Sequence, residues 1–166
     1  KMAKDLNFFI EKVYPLDYPI TLLGHSMGAL TLWEYLKTYQ SPKIEKMIII
    51  DQSPKLLTNP TWDLGIYGNY PSSLNQEMIA DFKKDLGAGV IRLSTSGLYT
   101  EYNNIFKAHP EFFYQRKRNY SSEQTQGLIS IWESLCQADY RPVLPTINLP
   151  TLLLYGEKSQ YYKKET

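Results

Sequence analysis

"PITLLGHSMGALTLWEYL", residues 19–36, sets a serine between two runs of different character. Residues 20–24, "ITLLG", form a short apolar run without polar alternation, which predicts a strand covered on both faces of a sheet. From about Ala29 to Tyr39, Leu30 and Trp33 recur at helical spacing with Leu32 and Leu36 beside them, and Pro42 closes the run. Ser26 falls on the bend between the two, with Gly24 and Gly28 two residues to either side. So tight a bend predicts a strained backbone at Ser26 and glycines where side chains would collide. It also places the Ser26 hydroxyl at the carboxyl end of a strand, where open α/β sheets bind ligands. The helix that follows leaves its first amides without intrahelical acceptors, so the Met27 N–H is positioned to meet a developing oxyanion.

Working outward, "KIEKMIIID" predicts a second buried strand over Met47 to Ile50, and "INLPTLLLYGE" a third over Thr151 to Tyr155. Strand, helix and strand make a βαβ unit, whose strands are expected to be parallel with a right-handed crossover. Before it, Leu6, Phe9, Ile10 and Val13 form one helical stripe within residues 3–13, and Pro15 and Pro19 bound a loop. Between the second and third strands lie roughly 85 residues of changed texture, far more than a plain crossover needs. Residues 74–86 read as a helix with Met78, Ile79 and Phe82 inward, interrupted by "DLGAGVI". A shorter helix is expected from Tyr99 to Lys107, and Ser121 with Gln124 forms a capping-box pattern ahead of Leu128, Ile131, Trp132 and Leu135. The expectation is an α/β core made of residues 1–54 and 144–166, with a mainly helical insertion at 55–143.

Composition narrows the classes. The chain has 166 residues, 43% hydrophobic and 21% charged, with a formal net charge of +1, so neither disorder nor a polyanion-binding surface is indicated. The basic cluster "QRKRNY" at 115–120 is too brief to suggest nucleic-acid binding. No run approaches the roughly 18 apolar residues of a membrane span. The one cysteine, Cys136, cannot form an internal disulfide, so a reducing, cytoplasmic setting is the default expectation. Both ends read as cut: the chain opens on Lys1 inside a helical pattern and closes on "YYKKET".

"GHSMG" satisfies G-x-S-x-G between a strand and a helix. There is no G-x-G-x-x-G and no G-K-[ST], which removes the phosphate-binding glycine loop as a rival. Together with "KMIIIDQSP" and "LPTINLPTLLLYGE", this motif resembles the α/β-hydrolase superfamily, and more closely its esterase and cofactor-free haloperoxidase branch. The resemblance covers residues 1–54 and about 144–157, and the insertion occupies the place of that family's variable helical cap. It implies a mostly parallel sheet, Ser26 as nucleophile, the Met27 N–H as half of the oxyanion hole, and His25 as a residue of the turn facing away from the serine. It implies no metal or organic cofactor. The first part of the sheet, with the loop that gives the other oxyanion donor, and the histidine base would both lie outside these residues.

A serine hydroxyl needs a base, and the base an orienting carboxylate. Asp51 ends the second strand at the same sheet edge as Ser26 and is the first candidate. The resemblance sets an aspartate where this chain has Ser159, so Glu157 and more distant residues such as Asp139 stay open. His109, in "FKAHPEF", precedes the third strand and is out of the family's order. Trp62, Tyr67, Tyr70 and Trp132, together with His25, are candidates for a mostly apolar pocket. The expected activity is a serine hydrolase acting on a small acyl substrate such as a carboxylic ester. Perhydrolysis, C–C bond hydrolysis or lyase chemistry, acyl transfer and a non-catalytic binding role on the same scaffold are the alternatives.

Overall fold

The computed structural model describes residues 1–14, 18–39, 42–97 and 100–166. Pro15 and Tyr99, assigned above to a loop and a helix start, lie outside the described residues. The chain divides into two compact units, Lys1–Pro54 with Asp139–Tyr155, and Lys55–Ala138 with Gly156–Thr166.

The first unit is an α/β layer. Strands β1 (Ile20–His25), β2 (Ile44–Ile50) and β3 (Thr151–Leu154) form one sheet in that order, and both pairings are parallel. The register sets Leu22 beside Met47 and Gly24 beside Ile49, while Met47 and Ile50 meet Thr151 and Leu154. Met47 and Ile49 of the central strand are almost fully buried. Helix α2 (Met27–Thr38) crosses from β1 to β2 and buries Ala29, Leu30, Leu32, Trp33 and Tyr35, with the Trp33 ring 6.2 Å from that of Tyr140. Each such apolar side chain contributes about 1.5–3 kcal/mol of burial.

Two expectations fail here for physical reasons. β1 alternates after all: Leu22 and Gly24 are buried, whereas Thr21, Leu23 and His25 are exposed, and all four residues of β3 are exposed. β1 and β3 are the outer strands of a three-stranded sheet, and the sides they expose meet no covering layer among the described residues. The first helix also breaks its stripe. Helix α1 (Met2–Phe8) passes into a π-helical turn over Phe9–Val13. The wider turn shifts the phase, so Ile10 is buried while Phe9 and Val13 are exposed.

The second unit is helical: α3 (Ser72–Lys84), α4 (Leu86–Ser96), α5 (Thr100–Ala108), α6 (Pro110–Tyr114) and α7 (Ser122–Gln137). Phe82, Leu86 and Ile129 form its core, with Met78, Ile79 and Trp132 packed against them. The "DLGAGVI" stretch starts a helix instead of merely interrupting one. Asp85 caps α4 by accepting the Ala88 N–H at 3.0 Å. Its glycines permit close approach, since a Cβ at Gly89 would lie 2.4 Å from the Phe82 ring. The capping box at Ser121 and Gln124 forms with both hydrogen bonds. The buried phase of α7 is nevertheless Ile129 and Cys136, while Leu128 and Ile131 face outward.

Candidate active site

Ser26 is the N-cap of α2, at φ 52° and ψ −122°. A non-glycine residue held there stores about 1–3 kcal/mol, so its surroundings must over-determine it. Its N–H donates to the Ile50 carbonyl at 3.1 Å, extending the β1–β2 ladder one step, and its carbonyl accepts the amides of Ala29 (2.8 Å) and Leu30 (3.4 Å). The serine side chain does not cap the helix, and the residue is exposed. Met27 and Gly28, ahead of those amides, belong to the first turn, where N–H groups have no intrahelical acceptor.

The two glycines differ. A Cβ at Gly24 would stand 2.7 Å from the Ala29 nitrogen and 2.8 Å from its Cα, so the bend closes only over hydrogen. Among the described residues a Cβ at Gly28 meets nothing within 4 Å, and φ there is not positive. The expected collision at Gly28 is therefore not found among them. His25, the last residue of β1, is exposed.

Asp51 follows β2 as Ser26 follows β1, at the same carboxyl edge, and it too has a positive φ, 47°. Its N–H donates to the Leu154 carbonyl at 2.8 Å. Gln52 and Ser53 beyond it are buried, and the Gln52 amide donates to the Ser53 carbonyl at 2.9 Å. Tyr155 donates its hydroxyl to the Gln52 carbonyl at 3.0 Å. Burial, and then the charge of Asp51, raise the Tyr155 phenol above its ordinary range. Sequence reasoning took Tyr155 only as the end of a strand, and a single tyrosine after an apolar run carries no signal of this contact.

The remaining carboxylates are placed differently. Asp139 is held by Arg141 through Nε (2.9 Å) and a second guanidinium nitrogen (2.6 Å). Glu157 is exposed, and Ser159 lies in a turn where its N–H donates to Gly156 and its Oγ accepts from Tyr161. His109, in the second unit, is exposed with Nδ1 3.3 Å from Glu111.

Of the candidate pocket residues, His25 ends β1 in the first unit, while Trp62, Tyr67, Tyr70 and Trp132 lie in the second, where three of them form a chain. Tyr67 meets Tyr70 edge-on at 5.9 Å, and Tyr70 meets Trp132 at 6.3 Å. Asn75 Oδ1 accepts from Trp132 Nε1 (2.8 Å), the Cys136 thiol (3.3 Å) and the Tyr70 hydroxyl (3.4 Å). Trp62 donates to the Lys55 carbonyl at 3.0 Å and Tyr67 to Leu93 at 2.8 Å. An apolar groove of about 530 Å³ in this unit is lined by other side chains, among them Ile91, Tyr102, Ile105, Phe112 and Phe113. Burial, and then Glu133, push the Cys136 thiol up to about 12, which keeps it protonated and unreactive. Among the described residues no cluster of His, Cys, Asp and Glu is arranged to hold a metal ion, and no helix is long and apolar enough to cross a membrane.

Residues 1–166 match the family model described as the alpha/beta hydrolase fold. Solved structures with the same architecture include an esterase from Exiguobacterium antarcticum, 21% identical with a TM-score of 0.71 over 98% of this chain and 57% of that one. A bromoperoxidase from Bacillus anthracis is 20% identical, with a TM-score of 0.69 over 94% of this chain and 55% of its own. An enol-lactonase from Burkholderia xenovorans LB400 is 15% identical, with a TM-score of 0.61 over 93% and 53%. The chain thus spans little more than half the length of these neighbours. No curated protein matches it.

Proposed function

The chain belongs to the alpha/beta hydrolase fold family, and on that premise we propose that it is the nucleophile-bearing part of a serine hydrolase acting on a carboxylic ester or related small acyl substrate. The observation that carries this reading is Ser26 itself, an exposed serine held at φ 52° on the bend from β1 into α2. A strained, solvent-facing serine beside unpaired helix amides has a cost that a purely structural turn would not need to bear.

In the proposed reaction Ser26 Oγ bonds to the carbonyl carbon and gives its proton to a histidine supplied outside these residues. The carbonyl oxygen takes the electron pair and is stabilised by the Met27 N–H, a donor worth on the order of 3 kcal/mol. Collapse expels the alcohol, which takes up the proton, and water then releases the acyl group by the same route. Asp51, at the same sheet edge, is the candidate to orient the base. The enol-lactonase neighbour suits this reading because a lactone is a cyclic ester. The bromoperoxidase neighbour keeps open a variant in which peroxide replaces water at the acyl-enzyme stage.

The test is labelling of the complete protein with a fluorophosphonate probe. Labelling that vanishes in Ser26→Ala supports the proposal. A complete protein that resists the probe, or a Ser26→Ala variant that labels as the parent does, overturns it.

A further inference from the structure

Asp51 is a carboxylate residue in a backbone conformation that glycine would adopt more cheaply. Such a conformation persists only when its neighbours fix it. Two hydrogen bonds bracket it. The Asp51 N–H reaches the Leu154 carbonyl at 2.8 Å, and one residue further along each segment the Tyr155 hydroxyl reaches the Gln52 carbonyl at 3.0 Å. The first bond runs from the turn to the end of β3, and the second runs back from the β3 segment to the turn. The rotatable backbone bonds between the two tied groups are φ and ψ of Asp51 and of Gln52. The pair of bonds therefore closes a clamp around the torsions that aim the Asp51 side chain.

The first bond is a ladder bond that any residue at position 155 would permit. The second depends on a side chain long enough to fold back across the sheet edge and stiff enough to stay there, and a half-buried phenol meets both needs. We infer that Tyr155 is a positioning residue, locking the Asp51–Gln52 turn so that Asp51 stays presented at the edge where Ser26 stands. This rests on the reading of Asp51 as the catalytic acid and names the residue through which that acid is held.

Tyr155→Phe keeps the ring and removes only the hydroxyl. Two readouts are taken on the complete protein. One is the intraresidue amide–Hα NOE of Asp51 by NMR, which is strong at positive φ, where the two protons come closest. The other is the rate of fluorophosphonate labelling in the parent, Tyr155→Phe, Asp51→Asn and the double variant. The NOE is expected to weaken as the turn samples negative φ, and labelling to slow on the order of tenfold, as for a catalytic group displaced from its aim. The double variant is expected to label no more slowly than Asp51→Asn alone, because Tyr155 acts through Asp51.

An unchanged NOE overturns the inference, as do losses that add in the double variant or a relaxed Asp51 with labelling at the parent rate. Asp51→Asn labelling at the parent rate also overturns it, while leaving Ser26 standing as nucleophile. A parent protein that fails to label sinks the hydrolase reading instead, and the Asp51 NOE still decides whether Tyr155 holds the turn.

Discussion

The turns that end β1 and β2 leave neighbouring parallel strands at the same edge and by a similar backbone route, φ 52° at Ser26 and 47° at Asp51. After that they part. The first runs straight into a helix and exposes its residue, with first-turn amides beside it that have no intrahelical acceptor. The second runs into Gln52 and Ser53, both buried, and is tied to β3 from two sides. One turn presents a hydroxyl, and the other encloses a loop. Shared strain is therefore no guide to role: what the next residues bury decides which side chain is offered to a substrate.

The sharpest way to break this comparison is chemical. Peptide mapping after fluorophosphonate treatment is expected to find the label on Ser26 and none on Ser53, with Ser26→Ala losing on the order of 10³-fold or more in labelling rate. Label on Ser53 would mean that the enclosed turn opens. Next in size is Gly24→Ala, whose Cβ would press on the Ala29 backbone at 2.7 Å. A loss of about 3 kcal/mol in denaturant unfolding is expected, the upper end for overpacking. Smaller again are Ser26→Gly and Asp51→Gly, each expected to stabilise by about 1 kcal/mol through relief of the positive φ, while abolishing or slowing labelling. A loss of stability at either position would show that the side chain, not the backbone, holds that turn. The smallest effect belongs to Gly28→Ala, which among the described residues meets nothing within 4 Å and gains up to about 1 kcal/mol of helix propensity.

The strands, the crossover helix and the bend at Ser26 are legible in the sequence because each is a local signal: an apolar run, a period, a glycine pair. The capping box at Ser121 is legible for the same reason, since both partners lie within one turn. What escapes is what depends on distant chain. The burial of β1 on one side only and the exposure of β3 depend on which other segments cover them, not on "ITLLG" or "TLLL" themselves. The phase of α7 is set by what Ile129 packs against, Phe82 and Leu86 from earlier helices. At the site, Ser26 and Asp51 can be read as ends of adjacent strands, but the positive φ of Asp51 and its bond to β3 cannot. "IIIDQSP" carries no glycine to flag the first, and the second joins residues more than a hundred positions apart.

The placing of the helical insertion has a consequence for synthesis. β2 pairs with β3, yet roughly a hundred residues separate them, about 5–20 s of translation at ordinary ribosome speeds. Throughout that interval the β3-facing edge of β2 stays unpaired while the insertion emerges. The nascent chain thus spends seconds with a row of open backbone N–H and C=O groups, the stage at which stray pairing with another chain is easiest.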